Sequence, residues 1–269
     1  MQTYFLFPAA LLYVICAFLP STRGLLISAG TAIAWLLHAM ALGSDLMAPG
    51  ALRLGFATVL SATLWISVGI YWLENRNFAL DGLRAMVLPC AAIAAILPYV
   101  FPGSLVPLEG KSPLFSWHIV IAMLAYSTLT IAAFHAVLMA LQETRLHAPP
   151  VASKSSWFAA AIDRLPALLT MEKLLFRFIS VGFGLLTLTV LSGVVFSEQL
   201  FGIAFKWDHK NIFTMLSWLL FGLLLAGRTW RGWRGKTALT FTLSGFATLF
   251  LAYIGSRFVL EVVLHRGLS

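Results

Sequence analysis

Histidine is the side chain in this sequence best suited to bind a metal ion or to transfer a proton near neutral pH. The chain has six histidines, and four of them fall at or near the ends of long apolar runs, namely His38, His118, His209 and His265. A single histidine at a membrane surface is ordinarily an interfacial polar residue. Four that meet at one membrane face, as the charge pattern below predicts, favour a shared ligand site.

The residues around His209 add flat apolar rings and positive charges. The aromatic side chains are Phe201, Phe205 and Trp207, and the ammonium groups are those of Lys206 and Lys210. A flat tetrapyrrole with two propionates, and with an iron that takes axial imidazoles, would use these residue types. Zinc prefers carboxylate or thiolate ligands, which these loops hardly supply. The residue types therefore favour heme as the ligand.

A second group of ionisable residues lies near the end of the chain. Arg257, Glu261 and His265 recur every four residues, so in a helix they share one face. Ionisable groups within a membrane span usually face the bundle interior or a cavity. Glu261 could neutralise Arg257 or orient His265, and Arg257 could reach an anionic group of a ligand. A simple helix-stabilising charge pair, worth about 0.2–0.5 kcal/mol, remains the alternative.

The other histidines and the two cysteines favour packing roles. His135 follows His118 by 17 residues on the same apolar run, about 25 Å along a helix, so the two cannot share a site. A hydrogen bond to a neighbouring helix is the expected role of His135. His147 lies in a polar connection and is expected to be solvated. Cys16 and Cys90 lie inside apolar runs without a CxxC pairing, which predicts packing residues rather than a disulfide or redox motif.

The elements that position these residues follow from composition. Of 269 residues, 60% are apolar and 10% are charged, whereas a soluble domain has about 25% charged residues. Backbone groups cannot go unpaired in hydrocarbon, and no run alternates as barrel strands do, so the runs predict helices. We expect an all-α polytopic membrane bundle of about eight helices that forms a single domain over 1–269. The predicted helices lie near Tyr4 to Leu19, Leu25 to Leu42, Leu54 to Leu73, Leu83 to Phe101, Phe115 to Leu141, Leu174 to Phe196, Ile212 to Leu225 and Ala238 to Leu264.

The basic residues predict the orientation of these helices. The net charge is +8, and the Lys and Arg residues concentrate in alternate connections, as in a membrane protein rather than a nucleic-acid-binding one. Twelve basic residues lie in one set of connections and four in the other, by direct count. The richer set should be cytoplasmic in a bacterial inner membrane. Both termini, and the loops 43–53, 102–114 and 197–211, should then face outward.

The longest polar connection, residues 143–173, is predicted to be cytoplasmic. It contains Pro149-Pro150 and a Ser-rich stretch. A short interfacial helix that includes Trp157, Phe158, Ile162 and Leu165 is one expectation, and a plain linker is the other. The first apolar run has no basic segment before it and no small-residue cleavage site after it, so we expect a retained span rather than a signal peptide.

Several motifs of this chain resemble those of the integral-membrane cytochrome c assembly proteins of the CcsA, ResC and CcmC type, especially their short HemX-like or YpjD-like members. Those proteins carry the loop W-x-W-D-P-K-E, of which Trp207, Asp208 and Lys210 are kept here, with Trp218 at the place of the following helix tryptophan. His118 followed by Tyr126 resembles H-V-x-x-M-x-x-S-Y-A. The stretch 253–267 resembles the family ending, from Y-L-G to L-H-S-Y-G.

The resemblance implies an external heme whose axial ligands are His118 and His265. We further expect Trp207 to pack on the ring, Asp208 to lie beside it, and Arg257 or Lys210 to lie near the propionates. His209, which has no counterpart in the family loop, is the main competitor as an axial ligand. This chain departs from the loop pattern at three positions, where it has Phe205, His209 and Asn211. Larger members also bind an intramembrane heme, and one of its ligands lies two residues before an Arg at the inner end of the helix that follows the loop. In this chain the corresponding Arg is Arg228, and the ligand position is occupied by Ala226. Only the outer heme is therefore predicted.

Three functions remain open on these grounds. The first is a heme-handling accessory factor for cytochrome c assembly or heme biogenesis, with heme, the lipid bilayer and other assembly proteins as partners and no nucleic acid. The second is a small-solute transporter, and the third is a ligand-free membrane scaffold. The sequence contains no P-loop, G-x-S-x-G or H-E-x-x-H motif, so we expect no enzymatic activity.

Overall fold

The protein is described by a computed structural model that covers residues 2–48, 51–78, 80–107, 109, 113–147, 157–201 and 208–264. Nearly all of this chain is helical, because its apolar runs satisfy their backbone hydrogen bonds internally. The helices are α1 (Gln2–Phe18), α2 (Gly24–Leu46), α3 (Phe56–Glu74), α4 (Asp81–Val100), α5 (Pro113–Leu146), α6 (Trp157–Asp163), α7 (Leu168–Phe201), α8 (His209–Arg231) and α9 (Gly235–Phe250).

Beyond Phe250 the helix continues, but its winding changes three times. A π-helical segment, Leu251–Gly255, is followed by one α-helical turn, Ser256–Phe258, and by a second π-helical segment, Val259–Val263. We call the whole stretch Gly235–Val263 the terminal span. Segments of π-helix are rare and occur frequently at functional sites, and these two flank Arg257.

Within the described residues, seven helices are long and apolar enough to cross a membrane, and a shorter apolar helix, Thr3–Phe18, precedes them. The prediction of about eight membrane helices is therefore confirmed. The helices α5 and α7 have 34 residues each, longer than their predicted apolar runs. At 1.5 Å per residue each extends about 50 Å, so both continue beyond a hydrocarbon core of about 30 Å.

Three short strands join two of the predicted outer loops, which is a correction to their assignment as loops. Among the described residues, β1 (Met47–Ala48), β2 (Ala51–Leu54) and β3 (Ser104–Pro107) form an antiparallel sheet in that order. The register pairs Leu54 with Ser104. Gly103 directly precedes β3 and lies against the end of β2. A Cβ on Gly103 would lie 2.6 Å from the Leu54 carbonyl oxygen, so only glycine allows this approach.

The two ends of the bundle differ in character. One end, which we call the sheet end, holds the three strands, the first turns of α3, α5 and α8, and the last turns of α2, α4, α7 and the terminal span. The Glu261 carboxylate accepts a hydrogen bond from the Phe56 backbone N–H there (3.3 Å) and so joins the terminal span to α3. The sheet end thus gathers the helix ends that the sequence predicts to face outward.

The opposite end, which we call the arginine end, is held by ion pairs between helices. Arg177 of α7 pairs with Glu74 of α3. Arg228 of α8 lies 2.7 Å from Glu172 of α7, and both side chains are largely buried. Replacing one partner of such a pair leaves the other charge uncompensated, so these contacts fix how the helices pair at this end.

The described part of the connection 143–173 packs at the arginine end. It contains the predicted short helix, α6, which begins at Trp157. Ile162 and Leu165 are buried against the bundle core, and Arg145 bonds to Asp163 at 3.0 Å. The helix is therefore packed on α4 and α5 rather than lying alone at a membrane surface.

The centre of the bundle is α5, which packs against α3, α7 and the terminal span. Its contacts with α7 are close, since a Cβ on Gly182 would lie 2.6 Å from Leu129. Small residues at such contacts let membrane helices approach each other. The Tyr126 hydroxyl of α5 donates to the Leu249 carbonyl of the terminal span at 2.8 Å. This bond makes α5 and the terminal span neighbours.

Candidate functional site

His118 is held at the sheet end between α5 and α7. Its Nδ1 lies 2.7 Å from Ser192 Oγ, and that hydroxyl donates its own proton to the Thr189 carbonyl at 3.0 Å. When the Ser192 hydroxyl donates to Thr189, its oxygen can accept from His118 Nδ1, and this assignment of the hydrogens, which satisfies all three groups, puts the imidazole proton on Nδ1. The tautomer that results carries its lone pair on Nε2, the form that a neutral imidazole uses to coordinate a metal.

The ring of His118 also lies close to the α7 backbone. A Cβ added at Gly193 would be 3.5 Å from His118 Cε1. The Ser192-Gly193 pair therefore gives the imidazole a hydrogen-bond acceptor and a flat surface on the same helix turn. A histidine that binds a metal usually donates its other ring N–H to such a partner, which fixes the ring orientation.

Two cations lie near one aromatic ring of the terminal span. Lys210 Nζ, in the first turn of α8, lies 5.8 Å from the centre of the Tyr253 ring, and Arg257 Cζ lies 5.8 Å from the same centre. Arg257 Nε is buried, and no described residue accepts a hydrogen bond from it. Two cations beside one ring, one of them with an unused buried N–H, form a place where an anionic group is favoured.

Glu261 shares the predicted helix face with Arg257, since its Oε1 lies 4.0 Å from Arg257 Nη1. The prediction that these two residues face each other is confirmed. The distance is too long for a hydrogen bond, and the other carboxylate oxygen is used by the Phe56 N–H. Glu261 therefore lowers the local positive charge without engaging the donors of Arg257.

Asp208 and His209 lie where α8 begins. Asp208 Oδ1 accepts from the Asn211 backbone N–H at 2.9 Å, so it is the N-cap of α8. The cap sets the first turn of the helix and so the direction of Lys210. His209 follows the cap and is exposed. Asp208 is thus a positioning residue for this part of the site.

His38 does not join this group, contrary to the predicted meeting of four histidines. It is 1% exposed, with Nε2 2.8 Å from Ser61 Oγ and Nδ1 3.4 Å from the Tyr13 hydroxyl. It therefore links α2 to α3 and α1 inside the bundle. Its closeness to the end of an apolar run does not reveal that α1 and α3 cover it.

His135 lies deep in the bundle, as its distance from His118 predicts. It is fully buried, and its Nδ1 donates to the Ile131 carbonyl of the same helix at 3.0 Å. The expected hydrogen bond to a neighbouring helix is thus replaced by a bond within α5, while the ring packs against Phe178 of α7 with 5.2 Å between ring centres.

The remaining predicted site residues, His265 and Trp207, lie outside the described residues, as do Phe205 and Lys206. Two residues that the structure brings to the site are not predicted there by the sequence, namely Ser192 and Tyr253. Ser192 lies in an otherwise apolar stretch of α7 next to a glycine, which is the one local signal that could mark it. Tyr253 enters the sequence argument only as part of the family ending.

Comparison with known proteins defines the class of protein to which this site belongs. The family model described as Cytochrome C assembly protein matches residues 4–264. The chain therefore belongs to the cytochrome c assembly protein family, and the resemblance seen in its motifs is confirmed. No solved structure matches the chain.

Two kinds of curated relative are similar to this chain. The Inner membrane protein YpjD of Escherichia coli (strain K12) is 27% identical over 236 residues, which are 86% of this chain and 85% of that protein. The Cytochrome c biogenesis protein CcsA of Heterosigma akashiwo (strain NIES-293 / 8280G21-1) is 33% identical over 100 residues, 37% of this chain and 31% of that protein. CcsA of Chlamydomonas reinhardtii is 25% identical over 209 residues, 73% of this chain and 55% of that protein. Together with the fold, these matches support a role in cytochrome c biogenesis.

Proposed function

We propose that this protein holds heme at the sheet end of the bundle, as an accessory factor in cytochrome c assembly or heme biogenesis. The observation that carries the proposal is the hydrogen-bond chain from His118 through Ser192 to Thr189. That chain keeps Nε2 of His118 in the form that coordinates iron, at the end of the bundle where the cations and the aromatic ring also lie.

The donors of the described site fit heme chemistry. A heme supplies an iron that takes axial imidazoles and two propionates that need cationic partners. Lys210 and Arg257 are the cations in place for the propionates, because both lie beside Tyr253 and Arg257 Nε is buried without a described acceptor. Because these donors are the ones that hold an iron and its propionates, we propose that the protein binds and presents heme without altering it.

His265 is the proposed second axial ligand, and Trp207 is the proposed packing surface for the ring. Both assignments come from the family pattern. They agree with the neighbouring positions of α5 and the terminal span, which the Tyr126 to Leu249 bond establishes. His209 is the competing ligand, since it is exposed in the first turn of α8 next to Lys210.

The proposed location is the bacterial inner membrane, with the sheet end and both termini outward. The Escherichia coli relative is named as an inner membrane protein. The arginine end carries most of the basic residues of the connections, which the positive-inside rule places in the cytoplasm. Heme would then be presented outside, where other cytochrome c assembly proteins are the proposed partners.

The test is the absorption spectrum of the full chain, expressed in heme-replete cells and purified in mild detergent. The parent should show a Soret band of bis-histidine type, and His118→Ala and His265→Ala should each change or lose it. His147→Ala is the matched control, because His147 is exposed at the other end of the bundle and its Nδ1 donates to the Glu143 carbonyl of the same helix. It should keep the parent spectrum.

Three results would overturn parts of the proposal. Bis-histidine heme in both His118→Ala and His265→Ala would refute this ligand pair. Loss of that spectrum in His118→Ala and His209→Ala, with His265→Ala unchanged, would make His209 the second ligand. Absence of heme from every preparation, including the parent, would refute heme binding itself.

A further inference from the structure

A cavity away from the proposed heme site opens inside the membrane region. It has a volume of about 280 Å³ and lies between α3, α4, α5 and the terminal span. We call it the slot. Its lining is apolar apart from three hydroxyl groups and the thiol of Cys90, and consists of Leu60, Thr63, Leu64, Cys90, Ile93, Ala94, Leu97, Tyr126, Thr130, Phe134, Phe246, Phe250 and Ile254.

The packing order of the helices shows where the slot opens. The helix α4 packs on α3, α3 packs on α5, and α5 packs on the terminal span. The slot is therefore floored by α3 and α5, with α4 as one wall and the terminal span as the other. Ile93 of α4 lines the slot and is 64% exposed. Since α4 is a membrane-spanning helix, the opening faces lipid.

The chemistry of the slot suits a hydrocarbon chain better than a polar ligand. The hydroxyls of Tyr126 and Thr130 donate to backbone carbonyls, of Leu249 and Tyr126 respectively. Among the described residues, Thr63 Oγ1 is the one slot hydroxyl without a hydrogen-bond partner. Most polar groups of a ligand with several such groups would therefore be buried in the slot without a hydrogen bond. An apolar cavity of about 150 Å³ is enough to take benzene, so the slot has room for a longer apolar segment.

A second cavity lies nearer the sheet end on the same side of the bundle. Its volume is about 300 Å³, and its lining residues are Phe56, Val100, Phe101, Pro102, Ser104, Glu261 and Val262. We call it the outer cavity. Residues of α3, of the end of α4 and of the terminal span contribute to both cavities, since Phe56 lies four residues before the slot residue Leu60 and Phe101 lies four residues after Leu97. Four residues are about 6 Å along a helix axis.

The outer cavity carries a negative acceptor beside aromatic rings. Glu261 Oε1 is buried and accepts no hydrogen bond from a described donor. Its ion-pair partner Arg257 lies 4.0 Å away, so the carboxylate oxygen still has room for a closer donor. The rings of Phe56 and Phe101, with 5.3 Å between their centres, line the same cavity. A carboxylate next to aromatic rings is the setting in which an ammonium group is bound.

We propose that these two cavities hold one phospholipid with a primary ammonium headgroup, of the phosphatidylethanolamine type. The slot takes an acyl chain from the bilayer, and the ammonium group donates to Glu261 Oε1 in the outer cavity. The boundary between the apolar span and the sheet lies at the outer cavity, which is the level of lipid headgroups. This inference does not depend on heme binding.

A bound lipid would also support the terminal span. Phe250 and Ile254 line the slot, and Ile254 belongs to the first π-helical segment, three residues before Arg257. A chain in the slot fills the space between this segment and α4. The lipid is therefore expected to steady the part of the terminal span that carries Arg257 and Glu261.

The experiment is native mass spectrometry of the full chain, released from nanodiscs that contain phosphatidylethanolamine and phosphatidylglycerol in equal amounts. The parent should retain one phosphatidylethanolamine, preferred by about fivefold, the effect of roughly one ion pair. Ile93→Trp should close the opening and reduce retention about tenfold, since added volume in a filled space is strongly disfavoured. Leu191→Trp is the matched control, because Leu191 is a 57% exposed aliphatic residue on α7 outside the slot.

The headgroup is tested by Glu261→Gln. This variant should retain a lipid but lose most of the preference for phosphatidylethanolamine over phosphatidylglycerol. The chain position is tested independently by alkylation of Cys90 with N-ethylmaleimide, which added phosphatidylethanolamine should slow in the parent but not in Ile93→Trp. Cys16 is buried elsewhere and serves as the unreactive reference.

Several results would overturn the proposal. Retention in Ile93→Trp equal to the parent would place the lipid outside the slot. Equal retention of the two lipids by the parent would refute the ammonium contact. A quinone or other neutral molecule in place of a phospholipid, or no retained molecule at all, would refute the assigned occupant.

Discussion

Replacing Ser192 by alanine tests the orientation of His118 without removing the proposed ligand. The hydroxyl of Ser192 is the acceptor that places the His118 proton on Nδ1. In Ser192→Ala the imidazole loses that acceptor, so its proton can move to Nε2 and its ring can turn. Loss of a hydrogen-bond partner behind a metal ligand costs about 10–100-fold in affinity, which is about 1.4–2.8 kcal/mol.

The assay is titration of the heme-depleted chain with heme, followed by the Soret absorbance, with thermal unfolding measured in parallel. Ser180→Ala is the matched control, because Ser180 is also on α7 and donates to the Phe176 carbonyl in the same way, without a histidine partner. Ser192→Thr keeps the hydroxyl and should recover most of the affinity. Both alanine variants should unfold within about 1 kcal/mol of the parent.

Two outcomes would refute this reasoning. If Ser192→Ala binds heme with the affinity of the parent, the hydrogen bond to His118 does not position an iron ligand. If Ser180→Ala loses as much affinity as Ser192→Ala, the loss comes from a weakened α7 helix rather than from His118.

Three further predictions concern the arginine end, the buried histidine and the topology. Glu172→Gln should lower the free energy of unfolding by about 3 kcal/mol, because it leaves a largely buried arginine uncompensated. Asp163→Asn changes a 64% exposed carboxylate and should cost under about 1 kcal/mol in the same denaturation assay. Equal costs for the two variants would contradict the role of burial. His38→Ala should lower thermal stability, because it leaves the buried hydroxyls of Tyr13 and Ser61 unpaired, while heme affinity should stay unchanged. A loss of heme affinity at full stability would instead place His38 in the site. Alkaline phosphatase fused after Ser269 should be active and that fused near Ser155 inactive, and the reverse pattern would refute the orientation.

The apolar runs are sufficient to predict the membrane helices. Whether a segment crosses a membrane depends on its own length and apolar content, since the bilayer rather than the rest of the protein is the surrounding solvent. The helix ends are less predictable. The helix α5 continues past the apolar run through Gln142 and Arg145, because polar residues outside hydrocarbon can still extend a helix.

The sheet is beyond sequence reasoning for a different reason. Its strands have two to four residues each, too short to show a period, and β2 finds its partner β3 about fifty residues along the chain. The π-helical winding around Arg257 is likewise absent from the sequence pattern, because nothing in the local residue types distinguishes it from the preceding α-helix.

The sequence by itself determined that the chain is a bundle of membrane helices, and it named the candidate residues of the proposed heme site. It also determined that Arg257 and Glu261 share a helix face, because that depends only on local periodicity. The tertiary structure alone decided which candidates meet. Ser192 lies 74 residues from His118, and only the packing of α5 on α7 makes it the acceptor that selects the tautomer. Packing equally removed His38 from the site, because α1 and α3 cover it with their own hydroxyl groups.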